Sequence, residues 1–323
     1  MSFEAILGLG QTAAELGLIS ALTVLALFVS YSMLNVCDLS ADGCFTLGGA
    51  VGAVVAISGH PYLSIFAAMA AGMLSGFITA FMQTKLGIDS LLAGIIVNTA
   101  LYSVNIAIMG SLSKGGSGAS MLNMNKTETV FTKVKELFAG GPLGKYNILI
   151  VAFIAVTLAV VFISLFMKTR LGLAIRATGD NADMVRSSSI NPKIMTVIGL
   201  CVSNSLTALS GCLLAQSQKS VSIDIGTGMV TVALASLLIG GAFIGKHKKI
   251  PLRAIGVVLG AIIFRLVYTV ALRFHMPAYM LKLISSVIVV IAIAAPYIKK
   301  KYPEFARRIS HKFSKKAEDG QNA

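Results

Sequence analysis

The sequence predicts an all-α fold, a bundle of helices that crosses a membrane about nine times, within a range of roughly eight to ten. Three observations predict it. Of the 323 residues, 56% are hydrophobic and 12% charged, whereas soluble domains carry roughly 25% charge. The mean hydropathy of +0.83 is more than one soluble core could bury. Apolar runs near the roughly 20 residues that cross hydrocarbon alternate with short polar segments, and those segments hold most of the Lys and Arg. The net charge of +14 is therefore spread between spans rather than gathered in one basic domain, which argues for anionic lipid and against nucleic acid.

The elements follow in order. A first span covers 16–36. No basic residue precedes it, so the N-terminus is expected outside. The start also lacks the basic region of a cleaved signal peptide. A polar interruption at 35–43 contains Asp38 and Asp42. The uncharged block from Gly43 to Thr84 divides into spans 43–58 and 62–83 around a His60-Pro61 turn, and a fourth span covers 90–110 after the inner loop Lys85–Asp89. The break near Asp38–Gly43 can lie beyond the membrane or within it, which changes the span count by one.

Residues 111–145 form the longest polar excursion. Within it Val130, Phe131, Val134, Leu137 and Phe138 make one apolar helical face, expected to lie on the outer surface or cap the bundle. A fifth span, 146–167, leads to the charged loop 168–193. Its Lys168, Arg170, Arg176, Arg186 and Lys193 place it on the cytoplasmic side. Thr178 to Asn181 offer N-cap chemistry for a short helix through Arg186, and Asn191-Pro192 breaks the chain again. That helix either passes force to a partner or is an ordinary solvated loop. Spans 194–215, 229–245, 254–273 and 277–298 complete the bundle, with an outer connection at 219–228 and the basic cluster 246–253 inside. The membrane-spanning body is thus 1–298. The tail 299–323 puts Tyr302, Phe305, Ile309 and Phe313 on one helical side and basic residues on the other, which suits a membrane surface. With this topology seven Lys and Arg fall outside (Lys114, Lys126, Lys133, Lys135, Lys145, Lys219, Arg273), and Arg265 and Lys282 lie within spans. All the others are inside, so the C-terminus is cytoplasmic in a plasma membrane.

Glycine pairs at four-residue spacing, Gly48/Gly52, Gly72/Gly76, Gly241/Gly245 and Gly256/Gly260, allow close helix packing. The run Gly240 to His247 resembles a phosphate-binding loop but lacks the Ser/Thr that would hold magnesium and ends an apolar span. Cys37, Cys44, Cys201 and Cys212 have no metal-ligand spacing and read as small buried residues. No HExxH or GxSxG motif is present, so enzyme chemistry is not expected. Intramembrane polar residues remain: Asp38, Asp42, Asn98, Asn204 and Arg265. They are candidates for a translocation path. A charge at the centre of a span costs on the order of 3 kcal/mol, so Arg265 should pair with a carboxylate, Asp38 or Asp42, or line the path. The polar break before Leu47-Gly-Gly-Ala50 has a counterpart in Asp224-Ile-Gly-Thr-Gly228 before Leu238-Ile-Gly-Gly-Ala242. The helices that follow should run in opposite senses, as in an inverted repeat.

Three stretches together resemble the permease subunits of ABC importers of the branched-chain amino acid, simple sugar and nucleoside group. They are Asp38-Leu-Ser-Ala-Asp-Gly43 with Leu47-Gly-Gly-Ala50; Thr169-Arg-Leu-Gly172 through Ala177-Thr-Gly179-Asp-Asn181 to Ile190; and Gly226-Thr-Gly228 with Ala233, Ala235 and Ile239-Gly-Gly-Ala242. The chain departs from the family at Asp183 and Ser189, where members often carry alanine and glycine. It looks most like the branch linked to aromatic amino acid (tryptophan/tyrosine) uptake. The resemblance implies a type II importer-like homodimer with no cofactor of its own. A separate ATPase subunit would bind ATP and magnesium and dock at Gly179, Asp180, Asn181, Ala182, Asp183, Met184 and Arg186. A separate extracytoplasmic binding protein would deliver the solute. An ion-coupled secondary transporter, or a permease for a sugar or nucleoside, are the alternatives.

Overall fold

The computed structural model describes residues 3–111, 118–125, 127–137, 146–244 and 249–273, with isolated helical positions between 283 and 294. The expected ninth span, the 299–323 tail, Phe138 and Gly245 lie outside the described residues or within those fragments. Among the described residues seven helices are long and apolar enough to cross a membrane, and an eighth, shorter apolar helix accompanies them.

Helix α9 (Pro192–Gln218) is the axis of the bundle, started by Asn191, whose side chain accepts the Lys193 N–H, and by Pro192 in the first turn. Around it pack α1 (Phe3–Leu27), α2 (Ala41–Ile57) and α3 (Pro61–Lys85). The glycine pairs on α2 and α3 explain the closeness. A Cβ on Gly48 would strike the Ala208 backbone, and one on Gly52 the Cys212 side chain; Gly72 and Gly76 meet the Asn204 and Leu200 carbonyls. Two hydroxyls of α9 bond to its neighbour α1: Ser203 donates to the Ala26 carbonyl at 2.8 Å and Ser210 to the Ile19 carbonyl at 2.6 Å.

Helices α4 (Ser90–Gly110) and α6 (Asn147–Phe166) complete the outside together with α3. Phe66, Leu74, Phe153, Leu158 and Leu165 stand exposed there, a surface that only hydrocarbon makes favourable. Helix α5 (Val130–Leu137) caps the bundle through buried Val130 and Phe131, and the Val130 N–H donates to Gln216 of α9. Beside it a short antiparallel ribbon joins β1 (Met121–Asn123) to β2 (Ser220–Ser222), a feature absent from the sequence reading. At the other end lie α7 (Arg170–Asp180) and α8 (Ala182–Ser187).

Two expectations change. The first span runs from α1 into a π-turn, Phe28–Met33, and stops before Asn35, which adopts φ 57°. The next helix is not a full crossing over 43–58. Residues 34–40 turn back into the bundle, and α2 starts near the midpoint of the 27-residue α9. The break between the two therefore lies within the bundle.

Helix α10 (Met229–Ile244) follows a 3-10 turn, Ile223–Gly226, and packs antiparallel to α11 (Ile250–Arg273). Its partner residues show how far the glycine reading holds. Gly240 meets the Gly256 backbone, Gly256 meets the Ile244 side chain and Gly260 the Ser236 carbonyl. Nothing stands within 4 Å of a Cβ on Gly241, so the packing glycine of α10 is Gly240. Helices α2 and α10 begin side by side and run in opposite senses, α2 toward the ribbon and α10 toward the α7–α8 end.

Candidate functional site

Two carboxylates four residues apart, Asp38 in the break and Asp42 in the first turn of α2, organise it. Asp38 is 1% exposed. Its Oδ1 accepts the Ser40 N–H at 2.8 Å, and its Oδ2 accepts from Asn204 Nδ2 at 2.9 Å. Asn204 Nδ2 also donates to Ser40 Oγ at 3.3 Å, Thr79 Oγ1 donates to the same oxygen at 3.2 Å, and Cys44 Sγ donates to the Asn204 carbonyl. Helices α2, α3 and α9 are thus tied by one buried polar knot.

Asp42 does something different. It sits in the first turn of α2 and caps the neighbouring helix: Oδ2 accepts the Gly228 N–H at 2.9 Å and Oδ1 the Val230 N–H at 2.8 Å. An anion at this place is favoured by the partial positive charge of the α10 N-terminus. Gly226 fits because its missing Cβ leaves room for the Asp42 carbonyl and Thr46.

Asp42 also lines a polar cavity of about 290 Å³ with Gly43, Thr46, Asn98, Thr99, Tyr102, Asn105, Ile223 and Thr227. The wall from α4 is made by Asn98 and Asn105, seven residues apart and hence on one helical face. Asn105 is 1% exposed and its Nδ2 donates to the Gly43 carbonyl at 3.1 Å. A carbonyl can only accept, so the amide orientation is fixed, and Asn105 Oδ1 is left buried without a donor. The cavity wall combines the Asp42 carboxylate with amide and hydroxyl groups, which suits a polar solute. A larger groove of about 460 Å³ between α3, α6 and α9 is apolar and opens among lipid-facing residues such as Phe66 and Leu158.

The expected path residues therefore separate. Asp42 and Asn98 share the cavity; Asp38 and Asn204 form the knot beside it. Arg265 pairs with neither carboxylate: Nε donates to Ser20 Oγ at 3.3 Å, Nη2 contacts Met229 Sδ at 3.8 Å, and the guanidinium lies 5.7 Å from the Tyr268 ring centre. Both carboxylates already accept from groups nearer to them, and the only ion pairs among the described residues are Lys133–Glu128 and Arg186–Asp183. Thr46, Tyr102, Asn105 and Thr227 were not singled out from sequence. The Asn98/Asn105 spacing in an apolar span is the signal that could have found the α4 wall.

At the far end Asn181 Oδ1 accepts the Asp183 and Met184 N–H groups and starts α8, while Gly179 and Asp180 end α7. Gly179 faces inward, its missing Cβ leaving room for the Met33 carbonyl and Leu34. Asp183, Met184 and Arg186 face outward, with Met184 69% exposed. The four cysteines are free, and no metal-binding cluster occurs among the described residues.

A multi-pass helical bundle whose spans break beside a polar cavity defines an integral membrane transport protein. The chain belongs to the family described as branched-chain amino acid transport system / permease component, whose family model matches residues 12–293. It is a permease component of an ABC-type transport system. It is 30% identical to a tyrosine transport system permease protein of Clostridioides difficile (strain R20291), over 86% of this chain and 88% of that one. An uncharacterised protein of Rickettsia prowazekii is 35% identical over 71% of this chain and 75% of its own length. The ribose import permease protein of Escherichia coli K12 is 25% identical over 79% and 75% respectively. No solved structure matches the chain.

Proposed function

We propose that the chain forms the translocation path of an importer for a small solute, an amino acid of aromatic type before a sugar or nucleoside. Its α7–α8 end faces the cytoplasm, with the N-terminus outside. The cavity at Asp42, Asn98 and Asn105 carries this reading. It joins the break in the spans to a polar wall holding the Asp42 carboxylate, which suits a polar solute with a cationic group such as an amino acid. The similarity to a tyrosine transport permease supports the same solute class.

A separate ATPase subunit docks on the outward face of α8 and hydrolyses ATP, and an extracytoplasmic binding protein delivers solute at the ribbon end. Two copies of the chain enclose the path. Coupling runs through a short mechanical route. Asp183, Met184 and Arg186 offer the grip, and Gly179 rests against the backbone of the π-turn at Met33–Leu34. Four residues further on, Asp38 ties the break to α9. A tilt of α7 therefore reaches the cavity wall through the short irregular segment 34–40, which Asp38 anchors to α9.

The test is the double variant Asp183→Lys, Met184→Asp in the assembled transporter. Solute-stimulated ATP hydrolysis is expected to fall about tenfold, equivalent to 1.4 kcal/mol of lost coupling, while melting of the isolated chain stays unchanged. Wild-type stimulation would remove α8 from the coupling route. Uphill uptake by vesicles holding this chain alone would favour the ion-coupled alternative instead.

A further inference from the structure

A second cavity, of about 430 Å³, lies between the end of α1, α10 and α11. Its walls change character along their length. Toward the middle of the bundle they are Phe28, Leu237 and Val257; toward the α7–α8 end they are Tyr31, Ser32 and Arg253. Gly240 and Gly241 hollow one side. Gly240 is used for contact with α11, but Gly241 faces open space.

Arg253 stands in the first turn of α11. One Nη2–H donates to Ser32 Oγ at 2.8 Å, and the guanidinium lies 5.3 Å from the Phe28 ring centre. No carboxylate among the described residues forms an ion pair with it. Arg176 of α7 adds a second positive charge within electrostatic reach. A guanidinium has five N–H donors. Those not used by Ser32 would match phosphate oxygens in a fork geometry.

We propose that this groove is a phospholipid site, in which Arg253 holds the phosphate of an anionic headgroup and an acyl chain lies in the hollow at Gly241. The polar-to-apolar gradient along the walls is that of one bilayer leaflet, read from headgroup to tail. A free phosphate would satisfy Arg253 but leave the apolar hollow empty. The lipid touches Ser32 at the π-turn, so it braces the element against which Gly179 rests.

The experiment uses the full chain in detergent, with melting temperature and native mass spectrometry as readouts. Phosphatidylglycerol, phosphatidylcholine and inorganic phosphate are the probes. Phosphatidylglycerol is expected to raise the melting temperature and stay bound roughly fivefold more tightly than phosphatidylcholine, about what one basic residue contributes near an anionic surface. Arg253→Gln should erase that preference. Gly241→Leu, at a position with free space, should melt like wild type without lipid and lose the lipid shift. Equal binding of both lipids, a shift produced by inorganic phosphate, or a lipid shift that survives Gly241→Leu would each overturn the proposal. A change of oligomeric state in Gly241→Leu with lipid binding intact would also overturn it and mark the groove as a protein contact.

Discussion

Asp38 and Asp42 lie on the same short polar break, yet the fold uses them differently. Asp38 is closed in among Ser40 and Asn204, and it ties α2 to α9. Asp42 faces the neighbouring helix start and the cavity. One carboxylate is a strut and the other borders the site. The difference comes from four residues of register, not from residue type. A polar residue in an apolar span therefore marks a buried polar region more surely than it marks which residue borders the cavity.

The comparison can be broken by substitution. The largest effect is expected from Asp38→Ala, which leaves Asn204 Nδ2 and the Ser40 N–H short of an acceptor in a closed interior. The loss should be on the order of 3 kcal/mol, read as a fall in melting temperature and in folded yield. A variant that melts like wild type would mean that the knot does not hold the break. Asp42→Ala comes next. It removes a helix cap, costing about 1 kcal/mol, and it is expected to reduce uptake by about tenfold in a fully folded protein. Equal loss of folding at both positions would erase the distinction between them. The smallest stability effect is expected from Asn105→Leu. It frees the Gly43 carbonyl but removes an orphan acceptor, so melting should shift by less than about 1 kcal/mol while uptake falls. Unchanged uptake would take the α4 wall out of the path.

Much of the fold was legible because the bilayer imposes a length. Apolar runs near 20 residues read directly as α1, α3, α4, α6 and α9. The depth of the break was not legible, since Asp38 looks alike in a surface turn and beside Asn204. Helix α7 was missed because its polar composition resembles a solvated loop, and the ribbon because its three-residue strands are about a hundred residues apart. Glycine spacing located α2, α3 and α11 packing faces but not the one on α10. There Gly240 and Gly241 differ by about 100° around the axis, and only the position of α11 chooses between them. Arg265 shows the same limit: the cost of burying its charge was readable, but its relief by Ser20, Met229 and Tyr268 was not.

By itself the sequence determined that this chain is a membrane bundle, roughly where most of its long spans fall, and which segments carry charge. Those properties follow from transfer of local groups between water and hydrocarbon, and they need no knowledge of neighbours. Only the tertiary structure decided that α2 and α10 start together inside the bundle, that Asp42 rather than Asp38 borders the cavity, and that Gly179 rests on the π-turn. Each depends on which helix faces which, a rotation about the helix axis that hydropathy does not encode.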